Sequence, residues 1–151
     1  MATIAERLTD HPFFAGLPPD SIDLVAGCAK NARFRAGEYL YREGQPADTF
    51  FVVRHGRVAL EMRTPTGSTV IDTAEEGEVL GWSWLVPPYR WTFDGRAVDD
   101  VRAVCFDGAC LRGKCTDDPE LGYAFLQRVV GVMSARLHSA RVRLLDLYGR
   151  P

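Results

Sequence analysis

Arg90 and Arg96 stand in the most aromatic stretch of the chain, GWSWLVPPYRWTFDGRA, residues 81–97. A guanidinium pairs with a phosphate or carboxylate through two parallel N–H bonds, so either arginine is a candidate anion partner. All three tryptophans, Trp82, Trp84 and Trp91, lie in the same stretch beside Tyr89 and Phe93. Large rings of this kind either fill a core or line a pocket for an apolar or planar ligand. The structural alternatives are equally concrete. Arg90 stacks on a neighbouring ring, or Arg96 forms an ion pair with Asp94, Asp99 or Asp100. Elsewhere the chain shows little chemistry. There is no GxSxG, no phosphate-cradling P-loop and no HExxH. His11, His55 and His138 are too far apart for ligand spacing, and Cys110 with Cys115 makes poor zinc spacing. The pairs Glu75-Glu76, Asp99-Asp100 and Asp117-Asp118 read as turn formers and helix caps. No catalytic residue, metal ligand or resident cofactor is expected, and the chain is not expected to be an enzyme.

The elements that position residues 81–97 come next. At 151 residues, 46% hydrophobic and 25% charged, the chain is long enough for one domain with a real core. A net charge of −2 argues against a dedicated nucleic-acid binder. No run approaches the apolar length of a membrane span. The start, MATIAERLTDHPFF, lacks the basic residues and apolar stretch of a signal peptide. The expected compartment is the cytoplasm, with Cys28, Cys105, Cys110 and Cys115 as reduced thiols.

Residues 1–32 read as a helical lead-in. TIAERL is short and amphipathic, and Pro18-Pro19 precedes a helix with Asp20 or Ser21 as cap or first-turn acid. Phe13, Phe14 and Leu17 read as a plug against the main core. Residues 33–110 change character. EYLY, TFFVVR, RVALEMR, TVIDTA and RAVCF are short, β-branched or aromatic runs separated by glycine turns, the pattern of an antiparallel roll. Residues 117–148 return to helix behind Asp117, Asp118 and Pro119. Leu126, Val130, Met133, Leu137, Ala140, Leu144 and Leu147 follow 4-3-4-3-4-3 spacing, the stripe of a helix–helix seam. Gly131 marks a candidate break between two helices. The stripe packs on the roll or, in its later half, on a second copy; the second gives a homodimer through Met133, Leu137, Ala140, Leu144 and Leu147.

This order of elements resembles the cyclic nucleotide-binding domain of the catabolite-activator and fumarate-nitrate-regulator (Crp/Fnr) superfamily. HPFFAGL (11–17), FRAGEYLYREGQPADTFFVVRHGRVAL (34–60), GEVLG (77–81) and MSARL (133–137) carry the resemblance. It implies a mainly β fold with flanking helices: a double-stranded β-helix, or jelly roll, with N-terminal helices and a long C-terminal helix. The whole chain, 1–151, would form one such domain, with a phosphate-binding cassette at 77–97. In nucleotide-binding members, the residue after the second cassette glycine is a Glu that accepts from the ribose 2′-hydroxyl, and a later Arg pairs with the cyclic phosphate. Here Trp82 follows Gly81, and Trp91 aligns with the Arg, flanked by Arg90 and, further on, Arg96. An indole only donates, so the ribose contact is lost.

The resemblance therefore implies a divergent ligand site at Gly81, Trp82, Ser83, Arg90, Trp91, Arg96 and Ala97. Family members also reach the base from the terminal helix, which here falls at Ala140 and Arg141; only Arg141 can hydrogen-bond. The expected function is a non-catalytic regulatory or sensor module that binds a small ligand, cyclic AMP or cyclic GMP among the candidates, and signals through its C-terminal helix. The alternative is a protein-interaction subunit of the same fold whose pocket is filled by aromatic side chains. Only Gly149, Arg150 and Pro151 follow Tyr148, so the helix-turn-helix domain of the family's regulators is not expected, nor is sequence-specific DNA binding. Expected partners are a second copy and a protein partner.

Overall fold

The run TFFVV has no polar alternation, and the reason is that its strand is covered on both faces. The computed structural model describes residues 3–149; residues 1, 2, 150 and 151 of the expected domain lie outside the described residues. Eight strands follow two helices: β1 (Ala29–Phe34), β2 (Tyr39–Tyr41), β3 (Thr49–His55), β4 (Val58–Thr64), β5 (Gly67–Ala74), β6 (Val79–Leu80), β7 (Asp94–Ala97) and β8 (Val101–Asp107). They form two four-stranded sheets, β1-β8-β3-β6 and β2-β7-β4-β5, with antiparallel pairing throughout. Alternate residues of a strand face opposite sides. On β3, Phe51 and Val53 join Tyr41, Leu60, Leu80 and Ala103 inside the roll. Phe50 and Val52 face the other way and are covered by helices. This is the jelly roll with flanking helices that the sequence implies. Strand β1 begins at residue 29, four residues before the expected boundary.

Glycine is required at the turn from β3 to β4. Gly56 has φ +87°, and a Cβ there would lie 2.3 Å from the Asp100 carbonyl oxygen. The lead-in contains α1 (Ile4–Thr9) and α2 (Pro19–Ala26). Thr3 and Glu6 cap α1 reciprocally. Helix α2 has Pro18 at its N-cap and no side-chain cap, so Asp20 is a first-turn acid and Ser21 plays no capping part. Phe13 and Phe14 are buried as expected, against Phe50, Phe106 and Phe125.

At the other end, α3 (Gly108–Asp117) and α4 (Pro119–Tyr148) meet at Asp118. Asp107 caps α3 by accepting from Cys110 N, and Asp118 caps α4 by accepting from Leu121 N. The break therefore falls at Asp118 and not at Gly131, which α4 passes without interruption. A 30-residue helix extends about 45 Å. Leu121, Phe125 and Val129, at i+4 steps, are buried against the roll. The 4-3 stripe does not share that burial: Leu137 is 52% exposed and Leu147 69%.

The four cysteines are not all thiols. Cys28 and Cys110 form a disulfide, with Cα atoms 5.7 Å apart. Asp107 N donates to Cys28 O at 2.9 Å, so the start of β1 lies beside the first turn of α3. Pairing across 82 residues brings the two sulfurs together where no local motif announces it. Cys105 and Cys115 remain free, the first buried in the roll, where burial pushes its thiol up to about 11.

Candidate ligand-binding site

The stretch 81–97 leaves the roll after Leu80 and returns at β7. At Gly81 the backbone takes φ +96°, and a Cβ would lie 2.8 Å from the Trp91 ring. That close approach packs the chain onto Trp91 and requires glycine. Trp91 is 5% exposed and stacks on Tyr41 with centroids 3.8 Å apart. Both its backbone groups are used: its N–H donates to Gln45 O, and its carbonyl accepts from Gly44 N. Trp84 is fully buried against Phe50 and Phe125, with its indole N–H donating to Gly81 O at 2.9 Å. Ser83 is buried beside it, and Ala97 lies within the roll. Only Trp82 among the tryptophans is half-buried, edge-on to Phe93 at 5.9 Å.

The two candidate arginines are engaged by the protein itself. Arg90 is exposed and donates to Gly44 O at 2.9 Å, rather than stacking on a neighbouring ring. Arg96 forms two parallel bonds to Glu61, each 3.0 Å. The expected partners lie elsewhere: Asp94 accepts from Glu43 N, Asp99 from Arg57 N, and Asp100 pairs with Arg33. Strand register explains the choice. Arg96 on β7 stands opposite Ala59 and Asp94 opposite Glu61, so Arg96 and Glu61 are diagonal cross-strand neighbours. Because Ala97 points into the roll, alternation puts Arg96 on the other face. The fork geometry and the carboxylate's charge hold Arg96 even more firmly protonated than usual.

What stays open is a cavity of about 590 Å³ between the roll and α4. The cassette contributes Trp82 and Phe93, and β4 and β5 contribute Leu60 and Ile71. Helix α4 supplies Met133, Leu137 and Ala140, with Ser134 as a lone hydroxyl. Two arginines of α4 frame the space. Arg136 is only 15% exposed; it donates to Val79 O, and its nearest carboxylate contact is Glu78 at 3.9 Å. Arg143 donates to Ile71 O at 2.6 Å and pairs with Asp72 at 3.0 Å. Arg136 ties α4 to the start of β6, and Arg143 ties it to β5. Arg141, the position expected to reach a ligand, does not line the cavity and is exposed. From the sequence, Arg136, Arg141, Arg143 and Arg150 read as a solvated basic face of the last helix in preference to phosphate binding, but Arg136 and Arg143 line the cavity. Each of these two lies three residues after a stripe residue, Met133 or Ala140, and so shares its face.

Residues 32–118 match the model of the cyclic nucleotide-binding domain. The chain belongs to this family. A CRP-like cAMP-activated global transcriptional regulator of Mycobacterium tuberculosis is 25% identical over 143 residues, which cover 94% of this chain and 62% of that protein. Human cGMP-dependent protein kinase 2 is 28% identical over 102 residues, 63% of this chain and 12% of the kinase. Among solved structures, a provisionally assigned cyclic nucleotide-binding protein of Geobacter metallireducens is 29% identical, with TM-score 0.81, over 91% of this chain and all of that one. The chain thus spans less than two thirds of the curated relatives' length. Of the cassette's rings, Trp82 lines the cavity and Trp91 is a core residue.

Proposed function

We propose that this cyclic nucleotide-binding-family chain is a non-catalytic regulatory module that takes a small ligand between the roll and α4 and passes occupancy along α4. The observation that carries the reading is the shared wall: Trp82 and Phe93 of the cassette face Met133, Leu137 and Ala140 of α4 across one open cavity. A ligand there touches both parts, so it shifts the position of α4 if it binds one arrangement better than another. The same helix continues with Leu144 and Leu147 exposed, a surface suited to a second copy. Ligand and dimer contacts then lie along one rod.

The runner-up is a protein-interaction subunit with a filled pocket. Trp84 and Trp91 favour it, because both are core. Trp82 and the open cavity favour ligand binding. Cyclic AMP and cyclic GMP, the ligands the family suggests, meet a cassette whose Arg96 is held by Glu61. Among the described residues, no helix is long and apolar enough to cross a membrane. The Cys28–Cys110 bond bears on the proposed cytoplasmic placement, because such bonds persist mainly in oxidising compartments.

Filling the cavity tests the reading. Ala140 lines it with a small side chain, and Ala140→Trp places an indole inside. The dye 1-anilinonaphthalene-8-sulfonate brightens in apolar cavities. Saturable binding to the native chain is expected, weakened at least about tenfold by Ala140→Trp. Equal dye binding by both proteins assigns the site elsewhere and leaves the filled-pocket subunit as the better reading.

A further inference from the structure

We infer that the ligand of this cavity is an apolar monocarboxylic acid, with its carboxylate on Arg136 and its body between Trp82 and α4. The inference rests on the ligand-binding reading above and names the chemistry of the same site. It begins from an imbalance in the walls. Leu60, Ile71, Trp82, Phe93, Met133 and Leu137 offer apolar surface, which favours an apolar body. A sugar there would lose hydrogen bonds to water and find few replacements.

The charges then select the head group. Arg143 is already matched by Asp72 at 3.0 Å, so it adds little net charge. Arg96 is matched by Glu61. Arg136 differs. Its guanidinium has five N–H donors, and among the described residues its hydrogen bond goes to Val79 O. Glu78 at 3.9 Å is beyond hydrogen-bond length and 47% exposed, so water screens it. A half-buried cation whose hydrogen bond goes to a backbone carbonyl, at the wall of an apolar space, fits one negative charge. A phosphate monoester, close to doubly charged, would ask for a second cation, and a cyclic phosphodiester, singly charged, would bring a sugar that these apolar walls disfavour. A carboxylate also presents the planar two-oxygen edge that a guanidinium meets in parallel.

The placement couples to α4. Arg136 ties the helix to β6 through Val79 O. A carboxylate drawing on the same guanidinium competes with that tie, so head-group binding acts directly on the helix.

The test is calorimetric titration of the native chain with decanoate and 4-phenylbutyrate, their neutral counterparts decan-1-ol and 4-phenylbutan-1-ol, and cyclic AMP. Both acids are expected to bind saturably and more tightly than the alcohols. Arg136→Gln should weaken them about 10- to 150-fold, the range of one charge-assisted hydrogen bond. Arg136→Lys, which keeps the charge but not the fork, should fall between. The acid-to-alcohol ratio is read on the native protein, so a poorly folded variant does not blunt the test. Alcohols that bind as well as the acids, or acids indifferent to Arg136→Gln in a folded variant, overturn the carboxylate assignment and leave the cavity reading intact. Cyclic AMP binding more tightly than either acid has the same effect. An absence of binding by every probe overturns both.

Discussion

Trp84→Ala should lower the unfolding free energy by about 3–5 kcal/mol, the cost of truncating a large buried aromatic. That is a large share of a typical total of about 5–15 kcal/mol. Trp84 is the largest fully buried side chain, set between Phe50 on β3 and Phe125 on α4. It joins the roll to the helix that closes the cavity. Its indole N–H also satisfies the Gly81 carbonyl at the cassette's tight turn. Arg112 donates to the Trp84 carbonyl and stacks over Tyr89 at 4.3 Å, so the backbone at Trp84 is held as well. Trp84→Phe keeps most of the packing and strands the carbonyl, for a loss of about 1–3 kcal/mol. Urea denaturation of the three proteins gives both values. A loss below about 0.5 kcal/mol for Trp84→Ala, the ordinary range for surface changes, would contradict a core role for this tryptophan.

Replacing both Cys28 and Cys110 by serine should cost about 4–5 kcal/mol through the unfolded chain alone, given the loop that the bond closes. The bond spans 82 residues and holds the start of β1 to α3, the helix that leads into α4. Dithiothreitol on the native chain should produce a similar loss. Thiol counting provides an independent check. The chain has four cysteines, of which Cys105 and Cys115 are free, so two thiols are expected on denaturation without reductant and four with it. In the folded state Cys105 should react slowly, because burial raises its pKa and keeps it protonated near neutral pH. Four thiols without reductant, together with unchanged stability of the double variant, would remove the bond from the native chain.

The roll was legible because its signals are local. Each strand is a short run of β-branched or aromatic residues, and glycine stands where the chain must turn, as at Gly56. The long helix was legible from Asp118, Pro119 and the 4-3 stripe. Its packing was less so, because two apolar stripes share one helix. Leu121, Phe125 and Val129 pack on the roll, whereas Val130, Met133, Leu137 and Ala140 of the regular stripe line the open cavity. The regular stripe dominates the pattern, so the inner stripe passed unread. The remaining misses are partners distant in sequence. Glu61 lies 35 residues from Arg96 and meets it through the register of β4 on β7. Cys28 meets Cys110 only once β1 pairs with β8. Local acids near Arg96 were the natural expectation, and each had a closer backbone or arginine partner. Trp82, Trp84 and Trp91 were legible as a group. Only the packing separates the two that fill the core from the one that lines the cavity.

We propose that the position the resemblance assigns to the phosphate partner is closed here, because Trp91 lies in the core and Arg96 pairs with Glu61, while the cavity under α4 stays open. Losing the charge-assisted phosphate and ribose contacts costs about 1.5–3 kcal/mol each, so affinity falls by several orders of magnitude. Calorimetric titration of the native chain with cyclic AMP and cyclic GMP tests this most directly. No saturable heat is expected up to millimolar nucleotide, with tryptophan emission unchanged. Saturable micromolar binding, lost in Arg96→Leu, would contradict the claim and return the phosphate to Arg96.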